Sequence, residues 1–299
     1  MLLAMFPAPA LPSFAPEHAS AHAARLRFED VTQDGRLHPI AIPLSLVGLW
    51  NDVLVPHRGA RNALAQGILP ILTRLTLHSH DVAIRVDRPV DVRAGFELAH
   101  ARDERGDIAR LFMLVWSELR GTPGRLGRKS DAAAEPALAG TLFAEHTFTR
   151  FAAPPDQRRV VTLAGIDGYP ELPDARYDAP APSTAQDAPA GARWLDELAA
   201  DASEHTFTLD HTDQNQHVNS LVYIRIFLDA ASRRLAASGR GGRVRSRAVD
   251  VAYRKPAFAG DRVRAHVRLF ALDDQIGAAG FVAAPDGKPH CYVRALFAS

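Results

Sequence analysis

The sequence has a single cysteine, Cys291, and no long uninterrupted apolar run. One cysteine cannot form an internal disulfide, and it excludes a zinc site built from cysteines. No stretch approaches the roughly 18 apolar residues of a membrane-spanning helix, so we expect no such helix. Residues 1–20 carry no lysine or arginine, and prolines interrupt their apolar run. A secretory signal is therefore not expected, and the expected location is cytoplasmic.

Lysine is also scarce. Lys129, Lys255 and Lys288 are the only three, so arginine supplies the other 32 of the 35 basic residues. These face 34 acidic residues, and the net charge is +1. A chain with so little excess charge is not a general trap for polyanions. The apolar content of 47% and the charged content of 23% are ordinary for a folded globular protein.

The chain divides into two units with a similar order of elements. Residues 168–193 are rich in alanine and proline and have little apolar periodicity, which is typical of a linker. We therefore predict four segments: a flexible leader over 1–24, a first domain over 25–151, a connecting segment with its linker over 152–193, and a second domain over 194–299.

Each unit has a helical pattern followed by several strand patterns. In the first unit the helical patterns cover 44–55 and 60–77, and Pro70 predicts a break or kink in the second. The strand patterns of this unit lie at 81–90, 93–104, 108–119 and 141–151. The second unit has a short strand at 204–210 and a long helix at 219–237. Its later strand patterns lie at 242–254, 261–272, 276–285 and 290–298.

The helix predicted over 219–237 is apolar on nearly every side. Only Arg225, Asp229 and Arg233 interrupt it, and their spacing of four residues places them on one stripe. A helix of this kind is buried. One buried helix followed by four long strands predicts a sheet curled around a central helix, which is the hotdog architecture. Two such units predict an α+β fold, a double hotdog with two antiparallel sheets, each wrapped around a central helix.

Directly before this helix, an acid, two amides and an imidazole fall within seven residues: Asp213, Asn215, His217 and Asn219. A helix start offers unsatisfied backbone N–H groups and the positive end of the helix dipole. These can hold the oxyanion that forms when a carbonyl is attacked. An aspartate beside them can attack directly or take a proton from water. The alternative interpretation is structural, because such residues are common in turns and at helix caps.

The segment TDQNQHVNSLVYIRIFLDAA, residues 212–231, resembles the signature of hotdog-fold acyl thioesterases, most closely the plant-type double-hotdog acyl-ACP thioesterases. The family's motif is D-x-N-x-H-V-N-N, followed by a tyrosine and a helix that carries an acid. The resemblance implies hydrolysis of an acyl thioester. The catalytic residues that it implies are Asp213, Asn215, His217 and Asp229. The substrate or oxyanion contacts that it implies are Asn219, Ser220 and Tyr223.

The sequence departs from the family pattern at two places. Ser220 stands where the family has its second asparagine. The plant enzymes have an acid or a cysteine just after YRR, whereas YRKPAFAGD offers Pro256 and Ala257 here. Asp229 either compensates for the missing group or pairs with its arginine neighbours on the helix, and the sequence leaves both alternatives open.

Basic residues cluster between 233 and 255, where Asp250 is the one acid. Such a patch favours a CoA phosphate or an acidic carrier protein, although solvated strand and loop faces are the alternative. The contacts we expect come from Arg243, Arg245, Arg254 and Lys255. The implied partner is an acyl thioester on acyl carrier protein or CoA. Because no aromatics interleave the patch, nucleic acid is not expected. No cofactor or metal is expected either, and a homodimer stays open.

Three functions remain open at this stage. The first is hydrolysis of an acyl thioester. The second is a hotdog hydratase or dehydratase, in which the histidine typically lies five residues after the aspartate. Asp213 and His217 are four apart, which favours the first. The third is a non-catalytic acyl-thioester-binding protein. In the first unit, Asn51, Asp52 and His57 come nearest to the same set, and we do not expect them to be catalytic.

Overall fold

The strands of both halves belong to one sheet, in which antiparallel pairing dominates. The computed structural model describes residues 6, 8–127, 134–241 and 244–298. Its strands are β1 Ala19–Ala24, β2 Ile68–Ser79, β3 Val90–Arg102, β4 Ile108–Gly121, β5 Ala137–Arg150, β6 Ala175–Arg176, β7 Arg193–Trp194, β8 Ala199–Thr206, β9 Arg245–Tyr253, β10 Arg262–Leu272, β11 Gln275–Ala283 and β12 Pro289–Ala298. They are ordered β1-β3-β4-β5-β2-β9-β12-β11-β10-β7, with β6 beside β3 and β8 beside β10.

The two halves meet where β2 pairs with β9. This ladder runs from Arg74 opposite Ala252 to His78 opposite Ala248. The prediction of two separate sheets is therefore corrected, because each half contributes strands to a single continuous sheet. An open edge on β2 and on β9 would leave backbone N–H and C=O groups unpaired in the middle of the molecule, and their mutual pairing satisfies these groups.

The helix predicted over 219–237 is present as Ser220–Ala237, and we call it the motif helix. Asn219 caps its start, since its side-chain oxygen accepts a hydrogen bond from the N–H of Leu221 at 3.0 Å. Gly239 follows its end with a φ of 73°, a left-handed conformation that suits glycine. The prediction of burial is confirmed. The buried side chains pack on the inner face of the sheet, the face that carries the main core: Tyr223, Ile224, Ile226, Phe227, Ala230, Ala231 and Leu235.

The helical element of the first half is broken into short pieces. A 3-10 segment, Pro39–Ser45, leads through one α turn, Leu46–Gly48, into a π-helical turn, Leu49–Leu54. A separate α-helix, Arg58–Ala65, follows. In the described parts of the chain, no single helix has the length and apolar character needed to cross a membrane. Pro39–Leu54 and Arg58–Ala65, bent by 85°, meet that requirement only as a pair.

The predicted helix over 60–77 is wrong beyond Ala65. Gly67 has a left-handed φ of 71°, and β2 begins at Ile68. Pro70 is accommodated because the ladder between β2 and β9 covers only 74–78, which leaves one edge of β2 open at the proline. The apolar run after Gly67 packs within a sheet, and apolar runs of this length do not distinguish a strand from a buried helix.

The other strand predictions match the structure to within a few residues, with one exception. The segment 81–89 is a connection that contains two isolated bridges, from Ala83 to Arg36 and from Ile84 to Pro123, and β3 begins only at Val90. The short strand predicted at 204–210 is shifted toward the N-terminus, as β8 ends at Thr206. Further 3-10 turns lie at Pro16–His18, Phe28–Asp30, Pro155–Gln157, Pro182–Gln186 and Leu209–His211.

The described parts of the leader and of the linker pack against the sheet. Within the leader, β1 pairs with β3, with Ala19 opposite Gly95. Within the linker, Tyr177 packs at right angles on Phe112, and Ala185 is fully buried. Both segments cover apolar side chains on the outer face, the face of the sheet opposite the motif helix. Burying this apolar surface explains why segments of low apolar periodicity nevertheless dock.

A buried ionic cluster lies on the outer face where the halves join. The Asp250 carboxylate accepts hydrogen bonds from Arg74 Nε at 2.8 Å and Nη2 at 2.6 Å. Arg294 Nη2 donates to the same carboxylate at 3.3 Å. The linker closes this cluster, because Arg74 also donates to Thr184 and Arg294 donates to the backbone oxygen of Asp187. The cluster therefore joins β2, β9, β12 and the linker.

Candidate active site

The motif residues lie on a tight loop that is closed before the motif helix. An isolated bridge pairs Thr212 with Val218. Inside it, the Asp213 N–H donates to the His217 oxygen at 3.2 Å, and the Gln216 N–H donates to the Asp213 oxygen at 2.9 Å. Gln216 has a φ of 64°, a left-handed conformation that is unusual for a residue with a side chain. Such positions are often found at functional sites.

The Asp213 carboxylate is fixed by two hydrogen bonds. Its Oδ1 accepts the backbone N–H of Asn215 at 2.9 Å, and its Oδ2 accepts the side-chain amide of Asn219 at 3.1 Å. Asn219 is also the residue that caps the motif helix through Leu221. A single amide therefore connects the carboxylate to the helix start. The structure thus brings together Asp213 and Asn219, as the sequence predicts.

The start of the motif helix leaves one backbone donor open. The Asn219 N–H donates to the His211 oxygen at 2.9 Å, and the Leu221 N–H donates to the Asn219 side chain. Between them, the Ser220 N–H has no hydrogen-bond partner among the described residues. An unpaired N–H at the positive end of a helix dipole, beside a held carboxylate, suits an oxyanion.

The remaining motif side chains are less constrained. Asn215 is exposed, and His217 is half-buried. The His217 Nδ1 atom is buried and has no partner within the described ranges. Neutral imidazole always offers one donor and one acceptor. His217 is therefore able to hydrogen bond to water or to a substrate without first breaking an existing side-chain contact at Nδ1.

Two tyrosines brace the loop from the core. The Tyr253 O–H donates to the Ser220 oxygen at 3.0 Å, which fixes the first peptide of the motif helix. The Tyr223 oxygen accepts the N–H of Ala257 at 2.9 Å, and burial raises the pKa of Tyr223. The structure thus places Tyr223 as a buried support for the loop after β9. Sequence reasoning missed Tyr253, whose role depends on pairing between distant strands and leaves no local signal.

Of the two residues at the place where the sequence departs from the family pattern, Pro256 and Ala257, only Ala257 is buried. Ala257 is fully buried within the core, and its oxygen accepts the N–H of Val218 at 2.8 Å. An acidic side chain there would be a buried charge without a partner, which is costly. The departure is therefore built into the packing at Ala257, whereas Pro256 is exposed and its packing does not exclude an acid.

Asp229 lies away from the loop. It is exposed, nine residues after Ser220, and this places it about 14 Å along the helix axis. Its negative charge, together with the hydrogen bond from Arg233 to Asp201, helps to raise the pKa of Arg233. Arg233 is paired with Asp201 at 2.6 Å, and among the described residues Asp229 forms no ion pair with either arginine neighbour, so its distance from the loop speaks against a catalytic role without showing the predicted pairing.

The four basic residues predicted to contact a carrier protein or a CoA phosphate differ in burial and in ion pairing. Arg245 is largely buried and faces Asp81 at 3.0 Å and Asp34 at 3.9 Å, and because Arg36 shares both carboxylates, two acids balance the two arginines. Arg254 and Lys255 are exposed, and neither has an ion-pair partner among the described residues. Arg243 lies outside the described residues.

The residues of the first half that come nearest to the motif set are His57, Asn51 and Asp52, and none of them is arranged as a catalytic group. His57 caps the helix Arg58–Ala65, because its Nδ1 accepts the N–H of Ala60 at 3.3 Å. Asn51 and Asp52 are exposed on the π-helical turn. Cys291 is fully buried, and burial raises the pKa of its thiol to about 12. A thiol of this kind is not a nucleophile at neutral pH.

A surface cavity of about 540 Å³ lies elsewhere, on the first half. Asp91, Arg93, Glu118 and Arg120 line it, and none of the motif residues does. Its lining mixes both signs of charge. The size of a cavity does not by itself identify a functional site. The motif loop remains the candidate site, because it carries the residues suited to catalysis. Among the described residues, no group of three or more His, Cys, Asp or Glu side chains is arranged to hold a metal ion.

Comparison with known proteins supports the architecture. No family model matches the sequence, and no curated protein matches it. An acyl-ACP thioesterase from Bacteroides thetaiotaomicron has a TM-score of 0.60 at 15% identity, with 94% of this chain and 98% of that chain covered. A protein assigned as an oleoyl thioesterase from Lactobacillus plantarum has a TM-score of 0.62 at 16% identity, with 94% and 96% covered. A 12:0-ACP thioesterase from Umbellularia californica has a TM-score of 0.56 at 11% identity, with 94% of both chains covered.

These matches span both halves and their arrangement, and at such low identity they show the fold alone. The chain has an α+β fold similar to the double-hotdog fold of acyl-ACP and oleoyl thioesterases. The resemblance found in the motif segment and the similarity of the whole fold thus point to the same class.

Proposed function

We propose that the protein hydrolyses an acyl thioester, carried on an acyl carrier protein or on CoA, to a free acid and a thiol. The observation that carries this proposal is the motif loop. A carboxylate held by two hydrogen bonds stands at a helix start whose Ser220 N–H is open. The proteins of similar fold support the same class, since acyl-ACP thioesterases are among them.

In the simplest mechanism, Asp213 acts as a general base. It takes a proton from water as the water oxygen bonds to the thioester carbon. The Ser220 N–H stabilises the oxyanion, and the C–S bond then breaks, with the proton returning to the leaving thiolate. Asn215 and His217 orient the water and the thioester. Direct attack by Asp213 through an acyl-carboxylate intermediate is the alternative, and it uses the same held carboxylate.

The exposed Arg254 and Lys255 are the proposed contacts for the carrier or for the CoA phosphates. Both follow β9 directly, and the oxygen of their neighbour Ala257 anchors the motif loop through Val218. Cations at this position would meet a substrate whose thioester enters the loop. Arg245 is left out of this proposal because Asp81 and Asp34 balance its charge together with that of Arg36.

Release of free thiol from acyl-CoA and acyl-carrier substrates of graded chain length tests the proposal. Asp213→Asn keeps the shape but removes the base, so turnover should fall by about 10²–10⁴ while substrate still binds. Asp210→Asn is the matched control, because Asp210 is an exposed aspartate on the adjacent 3-10 turn, and it should leave turnover unchanged.

Two results would contradict the proposal. One is an Asp213→Asn protein that releases thiol at the parent rate. The other is a parent protein that releases no thiol from any substrate but adds water to an enoyl thioester, which would favour the hydratase. Binding without either reaction would favour a non-catalytic acyl-thioester-binding protein.

A further inference from the structure

A buried histidine in the first half has no role in the proposed mechanism. His146 lies on β5, two positions after Ala144 and two before Phe148. Both of these residues belong to the core cluster on the inner face. Because side chains alternate along a strand, His146 points to the inner face with them. It is 5% exposed, and its Nδ1 atom is buried without a hydrogen-bond partner among the described residues.

Leaving such an atom unpaired is unfavourable. A buried polar group without a partner loses its bonds to water and gains nothing in return. Unsatisfied groups of this kind in folded proteins call for an explanation, and a bound ligand is one. The side chains opposite His146 are Met113 and Leu72, which offer it no partner. The backbone of Met113 and of Ala144 lies close enough to the ring to act on its pKa, but Nδ1 keeps no hydrogen-bond partner among the described residues.

Trp50 faces this histidine from the π-helical turn. The indole meets the His146 ring edge-on, with ring centroids 6.1 Å apart, and it is 37% exposed. The π-helical turns of proteins are rare and frequently lie at functional sites. Trp50 thus connects the buried imidazole to the surface of the protein.

The ring stays neutral at physiological pH, because burial lowers the pKa of His146 to about 4. A neutral imidazole offers one donor and one acceptor and no countercharge. It therefore suits a hydroxyl or keto oxygen, and it does not suit a carboxylate, whose burial beside it would leave an unbalanced charge.

The position of His146 relates it to the motif loop. Strand β2 lies between β5 and β9, and Tyr253 at the end of β9 donates to the Ser220 oxygen. Two strand spacings separate β5 from β9, so His146 lies about 10 Å from Tyr253 across the inner face. Leu72 and Tyr253 pack against the same core cluster between them. An acyl chain that starts at Ser220 would reach His146 near its middle.

We propose that Trp50 and His146 form a subsite that binds a neutral oxygen, hydroxyl or keto, on the acyl chain of the ligand. The protein would thus select oxygenated acyl chains over plain ones. This inference rests on the proposed function, in that it takes the ligand to be an acyl thioester. It adds a specificity-determining residue, His146, which lies in the half that lacks the catalytic motif.

Binding of non-hydrolysable analogues tests the subsite without turnover. Acyl-pantetheine amides of palmitate and of a mid-chain hydroxypalmitate are titrated calorimetrically into the full-length protein. The hydroxylated analogue should bind about tenfold more tightly, which corresponds to one net hydrogen bond in a buried site. His146→Phe should abolish the preference, so that the two analogues bind with equal affinity. His266→Phe is the matched control, since His266 stacks on Phe281 in the second half.

Equal affinities of the parent protein for the two analogues would overturn the subsite, whatever the fate of the variant. A preference that survives in His146→Phe would overturn it as well. If His146→Phe does not fold, the comparison within the parent protein decides alone. A preference for the hydroxylated analogue in a protein that hydrolyses no thioester would support the subsite and contradict the proposed function, so the two failures are distinguishable.

Discussion

Replacing Asp250 with asparagine should destabilise the fold more than any change on the surface. The Asp250 side chain is fully buried, and its two arginine partners are nearly so, Arg74 at 2% and Arg294 at 8% exposed. Thr76 Oγ1 also donates to this carboxylate, at 3.3 Å. The substitution keeps the size of the side chain and removes its charge. Two buried guanidinium groups would then remain, and Glu145 is the nearby carboxylate that acts on Arg74.

Breaking a buried ionic group by removing one partner costs about 3–5 kcal/mol, because a charge is left buried without compensation. The geometry places Asp250 at the upper part of this range. It accepts two short hydrogen bonds from one guanidinium and a third from the other. Total stabilities of single domains are about 5–15 kcal/mol, so this loss is a large fraction of the whole.

Urea unfolding followed by circular dichroism measures the loss. Asp178→Asn is the control, since Asp178 is an exposed residue paired with Arg176, and exposed pairs contribute at most about 1 kcal/mol. A replacement of all three side chains by apolar residues of similar size should be better tolerated than Asp250→Asn alone. A loss below about 1 kcal/mol for Asp250→Asn would refute the reasoning, as it would mean that water or a shifted backbone satisfies both arginines.

Three further outcomes are expected. Asn219→Ala should cost about 1 kcal/mol in unfolding free energy through the lost cap. Asn219→Asp should keep the cap, yet it should lower kcat at least as much as Asn219→Ala, because a carboxylate cannot donate to Asp213 and repels it; an unchanged kcat in both variants would show that the amide does not position Asp213. Tyr253→Phe should lower kcat with little change in KM, since only the bond to the Ser220 oxygen is lost; a change in KM alone would contradict this. Burial lowers the pKa of His146 to about 4, so the unfolded chain binds a proton below about pH 6.5 that the folded chain does not. Stability should therefore fall as pH drops from about 6.5 to 4, and His146→Phe should flatten that slope in chemical unfolding; an identical slope would contradict the assignment.

The second half was accessible from the sequence because its signals are local. The motif helix and its cap at Asn219 can be recognised from consecutive residues, because the helix is apolar on nearly all sides. Its four strands alternate strongly enough to be placed within a few residues. The motif loop was found for the same reason, since Asp213, Asn215 and His217 fall within five positions of one another.

The first half and the junction depend on distant pairing. Gly67 separates a helix from a strand within one apolar run, and only the ladder with β5 distinguishes the two. Nothing near Arg74 in the sequence predicts that it meets Asp250, which lies 176 residues away. His146 likewise becomes unusual only once Trp50 and the inner face are in place.

The sheet assigns stability and chemistry to opposite faces of the same strands. On β9, Asp250 points to the outer face, while its neighbour Val251 belongs to the inner core cluster. The same alternation on β2 places Arg74 outside and Leu75 inside. An outer-face substitution such as Asp250→Asn should therefore lower the unfolding free energy and leave kcat of the folded molecules unchanged. A fall in kcat under conditions where the variant is fully folded would mean that the junction transmits strain through the sheet to the motif loop, and that the two faces are mechanically coupled.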